Sequence, residues 1–392
     1  MNSKVRALFV GQRSTLDKEH LALLATLHGA VWIHAASVGE FEQARPLIER
    51  IKEKDERTKV VVTFFSPSGY EARKHYDLAD GVFYLPFATR RKAKRFLDAL
   101  QPQMALFVKY EFWPAYLREL YKRGIPTYSI SAIFRPKQRF FRWFGASSLR
   151  LLRCFTHIFV QDEASQELLA AHGIHQVSVT GDTRFDRVVK VKEGNVSEER
   201  LYPIEQFVEG CELVIVAGST WPEDEVLLKK FMPEKLILVP HEINKEHLQF
   251  IFNLYQGRVV FYSAVSGHVP MVSCRNILHR ANVLVIDTIG LLSSIYRFGH
   301  VAYIGGGFGV GIHNTIEAAV YGVPVIFGPN YAHFREAKGL IAAGAARSIK
   351  NYHELEEALE TALERHEEIG AKAAEYVQSE LGATDRIYNA IF

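Results

Sequence analysis

"YIGGGFGVGIHNTIEAAVYGVPVIFGP", residues 303–329, decides the fold. An apolar strand runs into a glycine loop, a helical pattern, a short Tyr-Gly turn and a second apolar strand. Two apolar strands joined by a helix form a parallel βαβ unit, with helices covering both sheet faces. Five of the seven residues 305–311 are glycine, and close backbone approach is what glycine permits. The loop contains no G-x-G-x-x-G, and the chain has no Walker A sequence, which disfavours a nicotinamide dinucleotide or P-loop site. His313, Asn314 and Glu317 follow at helical spacing, so His313 and Glu317 are predicted to share a face. A carboxylate one turn into a helix behind such a loop can accept both hydroxyls of a ribose. The amides of Gly306, Gly307 and Gly309 would then face a phosphate. His-x-x-x-Glu also has metal-ligand spacing, but no third ligand is near, so no metal is expected.

The same alternation extends in both directions. Ahead of the loop lie apolar runs at 211–219, 235–241, 258–263, 282–287 and 300–306. The first half repeats it at 30–36, 59–65, 81–87, 104–110, 125–131, 157–162 and 176–182. Charge, Gly and Pro in 189–206 read as a linker. The fold class predicted is α/β: two doubly wound halves, each with strand-to-helix loops facing a central cleft. With 392 residues, both halves can bury full cores. The three cysteines are far apart and form no metal or disulfide pattern, which favours a reducing compartment. No run reaches the length of a bilayer span, and the start lacks a signal-peptide pattern. A net charge of +3 gives no argument for nucleic acid.

Three stretches in the first half carry chemistry. In "HAASVGEFEQARPLI" (34–48), Ser37-Val38-Gly39-Glu40 is an S-x-x-E capping box at the head of a helix. It is equally a carboxylate aimed from a strand-to-helix turn, ionised by the helix dipole and fit to act as a general base. His34, on the strand before, reads as a packed histidine. In "KYEFWP" (109–114), strand alternation puts Lys109 and Glu111 on one face. This is either an exposed ion pair or a second carboxylate in the same structural slot. "RRKAKRF" (90–96), with Arg90 and Arg91, and "FRPKQRFFRWFGASSLRLLRCF" (134–155), with Arg135 and Arg139, interleave cations and aromatics. Such segments suit an anionic membrane surface or acceptor phosphates, or are solvated helix faces over core aromatics. In the second half, "AGSTWPEDE" (217–225) offers Ser219 and Thr220 at a helix start, and His241 ends the strand of "VPHE" (239–242).

Together "HAASVGEFEQARPLI", "TFFSPSGYE", "FVKYEFWP", "SAIFR", "GDTRFD", "AGSTWPEDE" and "GGGFGVGIHNTIEAAVYGVPVIFGP" resemble the 3-deoxy-D-manno-octulosonic acid (Kdo) transferases of glycosyltransferase family 30. The match runs in order over about residues 30–345. The resemblance implies a GT-B fold of two Rossmann-like domains. It implies metal-free, inverting transfer from CMP-Kdo to a lipid A precursor, without a cofactor. It assigns the catalytic base to Glu40 and a second important place to Glu111. His313, Asn314 and Glu317 fall on the donor motif, with Glu317 on the ribose, and Ser219 and Thr220 lie near the donor phosphate. The domains implied are 1–190 for the acceptor, a linker at 191–207, 208–370 for the CMP-sugar, and a helix at 371–392 packing back on the first domain. Where family members show Pro-Arg-His, this chain has Pro240-His241-Glu242; Arg184 is the candidate replacement cation. Many members also carry an N-terminal hydrophobic anchor. Here attachment to the cytoplasmic face of the inner membrane is expected through the basic-aromatic segments, with Lys109, Arg90, Arg91, Arg135 and Arg139 toward acceptor or membrane. The alternatives are another GT-B nucleotide-sugar enzyme, such as a UDP-sugar transferase or epimerase, and a non-enzymatic lipid-surface binding protein.

Overall fold

The computed structural model describes residues 3–142, 145–194, 196–231, 234–267 and 271–392. The chain divides into two compact units, Met1–Arg187 with Glu380–Phe392, and Val188–Ser379.

The first unit is built on β1 (Val31–Ala35), β2 (Val60–Phe64), β3 (Gly81–Tyr84), β4 (Met104–Val108), β5 (Thr127–Ala132), β6 (His157–Val160) and β7 (Val177–Val179). All pairings are parallel, in the order β3-β2-β1-β4-β5-β6-β7. β1, β2 and β4 are buried on both faces, as their unbroken apolar runs require. The fully buried Trp32 packs on Phe96, Phe107 and Tyr116. Its indole N–H donates to Thr63 Oγ1 at 2.9 Å, so the one polar atom of the ring is satisfied. The helix Val38–Lys54 turns Phe41, Ala44, Leu47, Ile48 and Ile51 inward at three- and four-residue spacing. The helix Ala383–Ile391 packs against it through Ile387. Asp186 fixes the start of that last helix by accepting from the Gly382 and Thr384 amides, both at 2.7 Å.

The second unit carries β8 (Val214–Thr220), β9 (Lys235–Pro240), β10 (Val259–Phe261), β11 (Val283–Val285), β12 (Val301–Ile304), β13 (Val325–Phe327) and β14 (Ala346–Ser348). They are parallel, in the order β10-β11-β9-β8-β12-β13-β14. In each sheet two neighbouring central strands lead off to opposite sides: β1 and β4 in the first, β8 and β12 in the second, where β11 also inserts between β9 and β10. Ligands of open α/β sheets sit beyond the carboxyl ends of the strands at such switch points. The ends of these four strands and the segments that follow them carry Glu40, Glu111, Ser219 and the glycine loop.

Along the chain's elements, the sequence reading and the structure differ as follows. β14 is a short, half-exposed edge strand with no apolar run to announce it. The supposed linker is largely helical, with a helix at Glu198–Val208 that buries Leu201, Ile204 and Phe207 and keeps Pro203 inside. Residues 371–379 stay in the second unit as part of the helix His366–Ser379, and only Glu380–Phe392 joins the first. Among the described residues no helix is long and apolar enough to cross a membrane.

Candidate active site

In the first unit, β1 ends at Ala35 and Ser37 caps the next helix, its hydroxyl accepting the Glu40 amide at 3.4 Å. The Glu40 carboxylate bends back, but past the cap: Oε2 accepts from the Ala36 amide at 2.6 Å. Half of the expected capping box is therefore present, with the Glu40 carboxylate on the residue before the cap. Its protonation differs from the expectation. Burial and the neighbouring Glu111 charge raise the Glu40 pKa to about 7, against the Ala36 hydrogen bond and Lys109. Lost solvation and a second carboxylate outweigh the first-turn dipole. A Cβ on Gly39 would meet nothing within 4 Å, so packing inside this unit does not demand that glycine.

Glu111 arrives from the other side of the switch point. The expected alternation of Lys109 and Glu111 fails because β4 stops at Val108 and Lys109 is left-handed, with φ of 53°. That conformation is unfavourable for a side chain with a Cβ, and here it reverses the chain direction so that Glu111 turns back over β1. Glu111 Oε2 accepts from Trp113 Nε1 at 2.6 Å and lies 3.2 Å from His34 Nε2. His34 is fully buried, and its Nδ1 lies 3.0 Å from the Thr63 carbonyl and 2.9 Å from the Thr63 hydroxyl. It is a packed histidine, as read, and it also backs Glu111. Asp182 is a partner the sequence reading missed. Burial pushes its carboxyl up, yet Arg184 and Lys109 together with Gln43 hold it down at about 2. Arg184 donates to Asp182 Oδ2 at 2.9 and 2.7 Å, so the candidate donor cation is tied to a carboxylate of its own unit. Gln43 donates to Asp182 Oδ1 at 2.9 Å and its carbonyl accepts from Thr183 at 2.6 Å, which locks the Glu40 helix to the Asp182 loop.

The two basic-aromatic segments are placed differently from each other. Arg90 and Arg91 are exposed at the head of the helix Arg90–Leu100. Among the described residues of 134–155, Phe134 is buried, and Phe140 and Phe141 pack on it and, for Phe140, on Phe112. Burial of ring area outweighs exposure for these rings. Arg135 lies beside the Tyr110 hydroxyl. The Arg139 side chain, Trp143 and Phe144 fall outside the described residues.

In the second unit, Ser219 is left-handed at φ of 54° and sits in a register shift between Gly218 and Thr220. Ser131 repeats this on β5, with φ of 51° and a shift between Ser129 and Ala132. Nothing in a Ser-rich turn advertises such a bulge. Thr220 departs from its predicted role: it is fully buried and its hydroxyl donates to Glu225 Oε1 at 2.8 Å. Of the pair, only Ser219 remains for a phosphate.

The glycine loop is shaped first by the protein itself. A Cβ on Gly305 would lie 2.4 Å from the Ser219 carbonyl oxygen, and one on Gly307 2.6 Å from the Gly328 backbone. The Gly306 amide donates to Asp224 Oδ2 at 2.8 Å, and the Gly309 amide to the Gly306 carbonyl at 3.0 Å. Two of the three amides predicted to cradle phosphate are therefore committed internally. His313 and Asn314 precede the helix, which begins only at Ile316, so His313 and Glu317 do not share a helical face. His313 instead ends a stack: Trp221 lies on His241 at 4.9 Å between centroids, and His241 on His313 at 4.4 Å. Burial and His241 push the His313 imidazole down to about 4, which keeps it neutral and able to accept from Trp221 Nε1 at 3.4 Å. Glu317 accepts from Asn314 Nδ2 and Ser293 Oγ, both at 2.9 Å. Ser293 is a further neighbour that no motif singled out.

Residues 10–187 match the family model described as 3-deoxy-D-manno-octulosonic-acid transferase (kdotransferase). The 3-deoxy-D-manno-octulosonic acid transferase of Aquifex aeolicus is 27% identical over 348 residues, covering 85% of this chain and 85% of that protein. That of Haemophilus influenzae is 26% identical over 419 residues, covering 98% and 94%. Among solved structures, UDP-GlcNAc 2-epimerase from Neisseria meningitidis, bound to UDP-GlcNAc, matches 92% of this chain and 99% of its own with a TM-score of 0.64. At 17% identity that likeness is one of fold, two parallel-sheet α/β units of the GT-B class.

Proposed function

We propose that this chain, which belongs to the 3-deoxy-D-manno-octulosonic-acid (Kdo) transferase family and is a Kdo-transferring glycosyltransferase, takes Kdo from CMP-Kdo and delivers it to a hydroxyl of a lipid A precursor. The observation that carries the reading is the pair of carboxylates flanking the β1–β4 switch point, one of them raised to about 7. A general base works best when its pKa lies near the working pH. Glu40 takes the acceptor proton as the hydroxyl oxygen bonds to the anomeric carbon of Kdo. The bond from that carbon to the phosphate oxygen breaks on the opposite face, CMP leaves, and the configuration inverts. The proton on Glu40 is then lost to water. Glu111 keeps the Glu40 pKa high, and Lys109 contacts the acceptor.

The second unit takes the donor. Glu317 and Asn314 receive the ribose, while Ser219 and the turn around His241 face the phosphate. Preorganised polar groups suit a departing phosphate without a metal. Arg90, Arg91 and Arg135 meet an anionic acceptor or the cytoplasmic face of the inner membrane, where the protein works peripherally.

The test is mass analysis of products from CMP-Kdo and a tetraacylated lipid A precursor. The expected product is the acceptor enlarged by Kdo, with CMP released. No transfer from CMP-Kdo, together with turnover of a UDP-sugar, rejects the donor assignment.

A further inference from the structure

Behind the donor-side turns lies a buried acid–imidazole pair. Glu225 is fully buried in the helix Pro222–Phe231, and His247 is almost so in the helix Lys245–Tyr255. Glu225 Oε1 accepts from the Thr220 hydroxyl at 2.8 Å, at the end of β8. Glu225 Oε2 and His247 Nε2 are 3.0 Å apart. His247 Nδ1 lies 2.9 Å from the Glu242 carbonyl, in the turn after β9, and must donate to it. With Nδ1 carrying its hydrogen, the contact between Nε2 and Oε2 needs one shared proton. Imidazolium with carboxylate and imidazole with carboxylic acid both satisfy that count. Burial raises the Glu225 carboxyl, which keeps the proton in the pair.

The pair thus connects two turns. One holds the left-handed Ser219. The other holds His241, whose ring stays stacked between Trp221 and His313 although the residue is exposed. We infer that Glu225 and His247 are positioning residues for the donor: through Thr220 and the Glu242 carbonyl they hold Ser219 and His241 where an anionic sugar nucleotide meets them. This rests on the assignment of the donor to the second unit. It gives a physical account of the Pro240-His241-Glu242 turn, in which an imidazole held by stacking takes the place of a flexible cation.

The test uses the full chain and three variants, with CMP affinity by calorimetry and separate kcat and KM for CMP-Kdo and acceptor. His247→Gln keeps a donor toward Glu225 but abandons the Glu242 carbonyl. Its CMP dissociation constant and CMP-Kdo KM rise about tenfold, with kcat within about threefold and acceptor KM unchanged. Glu225→Gln accepts from Thr220 and donates to His247 without a shared proton, so it stays within about twofold of wild type. This conservative variant, more tolerant of folding, keeps the pair testable if His247→Gln is unstable: a tenfold loss of CMP affinity in folded Glu225→Gln contradicts the hydrogen-bond account. A folded His247→Gln with unchanged donor KM overturns the inference. Glu317→Ala is the control for the underlying assignment. Lost CMP binding there, with none lost in His247→Gln, rejects only the positioning role. Unchanged CMP binding in Glu317→Ala rejects the donor assignment and the inference with it.

Discussion

Glu40→Gln lowers kcat by about 10³-fold, within the range that a positioned general base contributes, while KM for CMP-Kdo stays near wild type. The amide retains the Ala36 hydrogen bond, because Gln still presents an oxygen to that amide. What it loses is the ability to take a proton. The same substitution raises stability in alkaline solution, and the sign follows from the raised pKa. Folded Glu40 binds its proton up to about 7, against 4.5 for an ordinary glutamate. Between those values the folded state holds more protons than the unfolded one, so stability falls as pH rises. The contribution is fully present below about 4.5 and lost through about 7. Gln resembles the neutral carboxyl, so the variant melts above wild type at pH ~8 and level with it at pH ~4. Paired melting curves and steady-state rates check both halves. Activity within tenfold of wild type refutes the base assignment.

Asp224→Ala produces the largest loss of stability. Asp224 is 1% exposed and accepts three hydrogen bonds: from Gly306 N and Tyr303 Oη at 2.8 and 2.7 Å, and from Trp221 N at 3.0 Å. It pins the glycine loop and β12 to the turn after β8. Alanine strands these donors, each at a cost of about 1–3 kcal/mol when buried. The sum takes a large part of the roughly 5–15 kcal/mol that holds a domain folded. A fall in melting temperature of about 10 °C or more is expected, with CMP binding lost. Asp224→Asn restores most of it, since one oxygen can still serve both amides and the Tyr303 hydroxyl can turn to accept. An Asp224→Ala protein that melts with wild type shows that the loop is not held in this way.

Much of this architecture was legible in the residues. Strands buried on both faces have to be apolar throughout, so runs such as 60–64 and 235–240 stand out against amphipathic helices. The helix start at Ser37 is marked by its capping side chain. β14 was illegible because a half-exposed edge strand has no such run. The helix Glu198–Val208 was hidden by Pro203 and by its flanking charge, although its buried Leu201, Ile204 and Phe207 keep helical spacing.

At the site, residue types were legible and roles less so. Glu40 and Glu111 sit at strand-end turns, as their positions after apolar runs suggest. That burial and a second carboxylate overcome the dipole depends on packing between distant segments. Lys109, Ser131 and Ser219 adopt left-handed backbone that their side chains disfavour, just after β4 and near the ends of β5 and β8. No local signal marks a residue forced into such a conformation by its neighbours. The glycines misled in part: several answer contacts between backbone segments rather than a ligand.

The most direct test of the account is the pH dependence of kcat/KM for CMP-Kdo in wild type and in Glu111→Gln. The wild-type acid limb should fall with an apparent pKa of about 7, the value that burial and Glu111 give Glu40. Removing the Glu111 charge should shift that limb to lower pH, because a like charge nearby disfavours ionisation. A wild-type limb near 4.5, the ordinary value for glutamate, or a limb that does not move in Glu111→Gln, contradicts the claim that these two carboxylates form the catalytic pair.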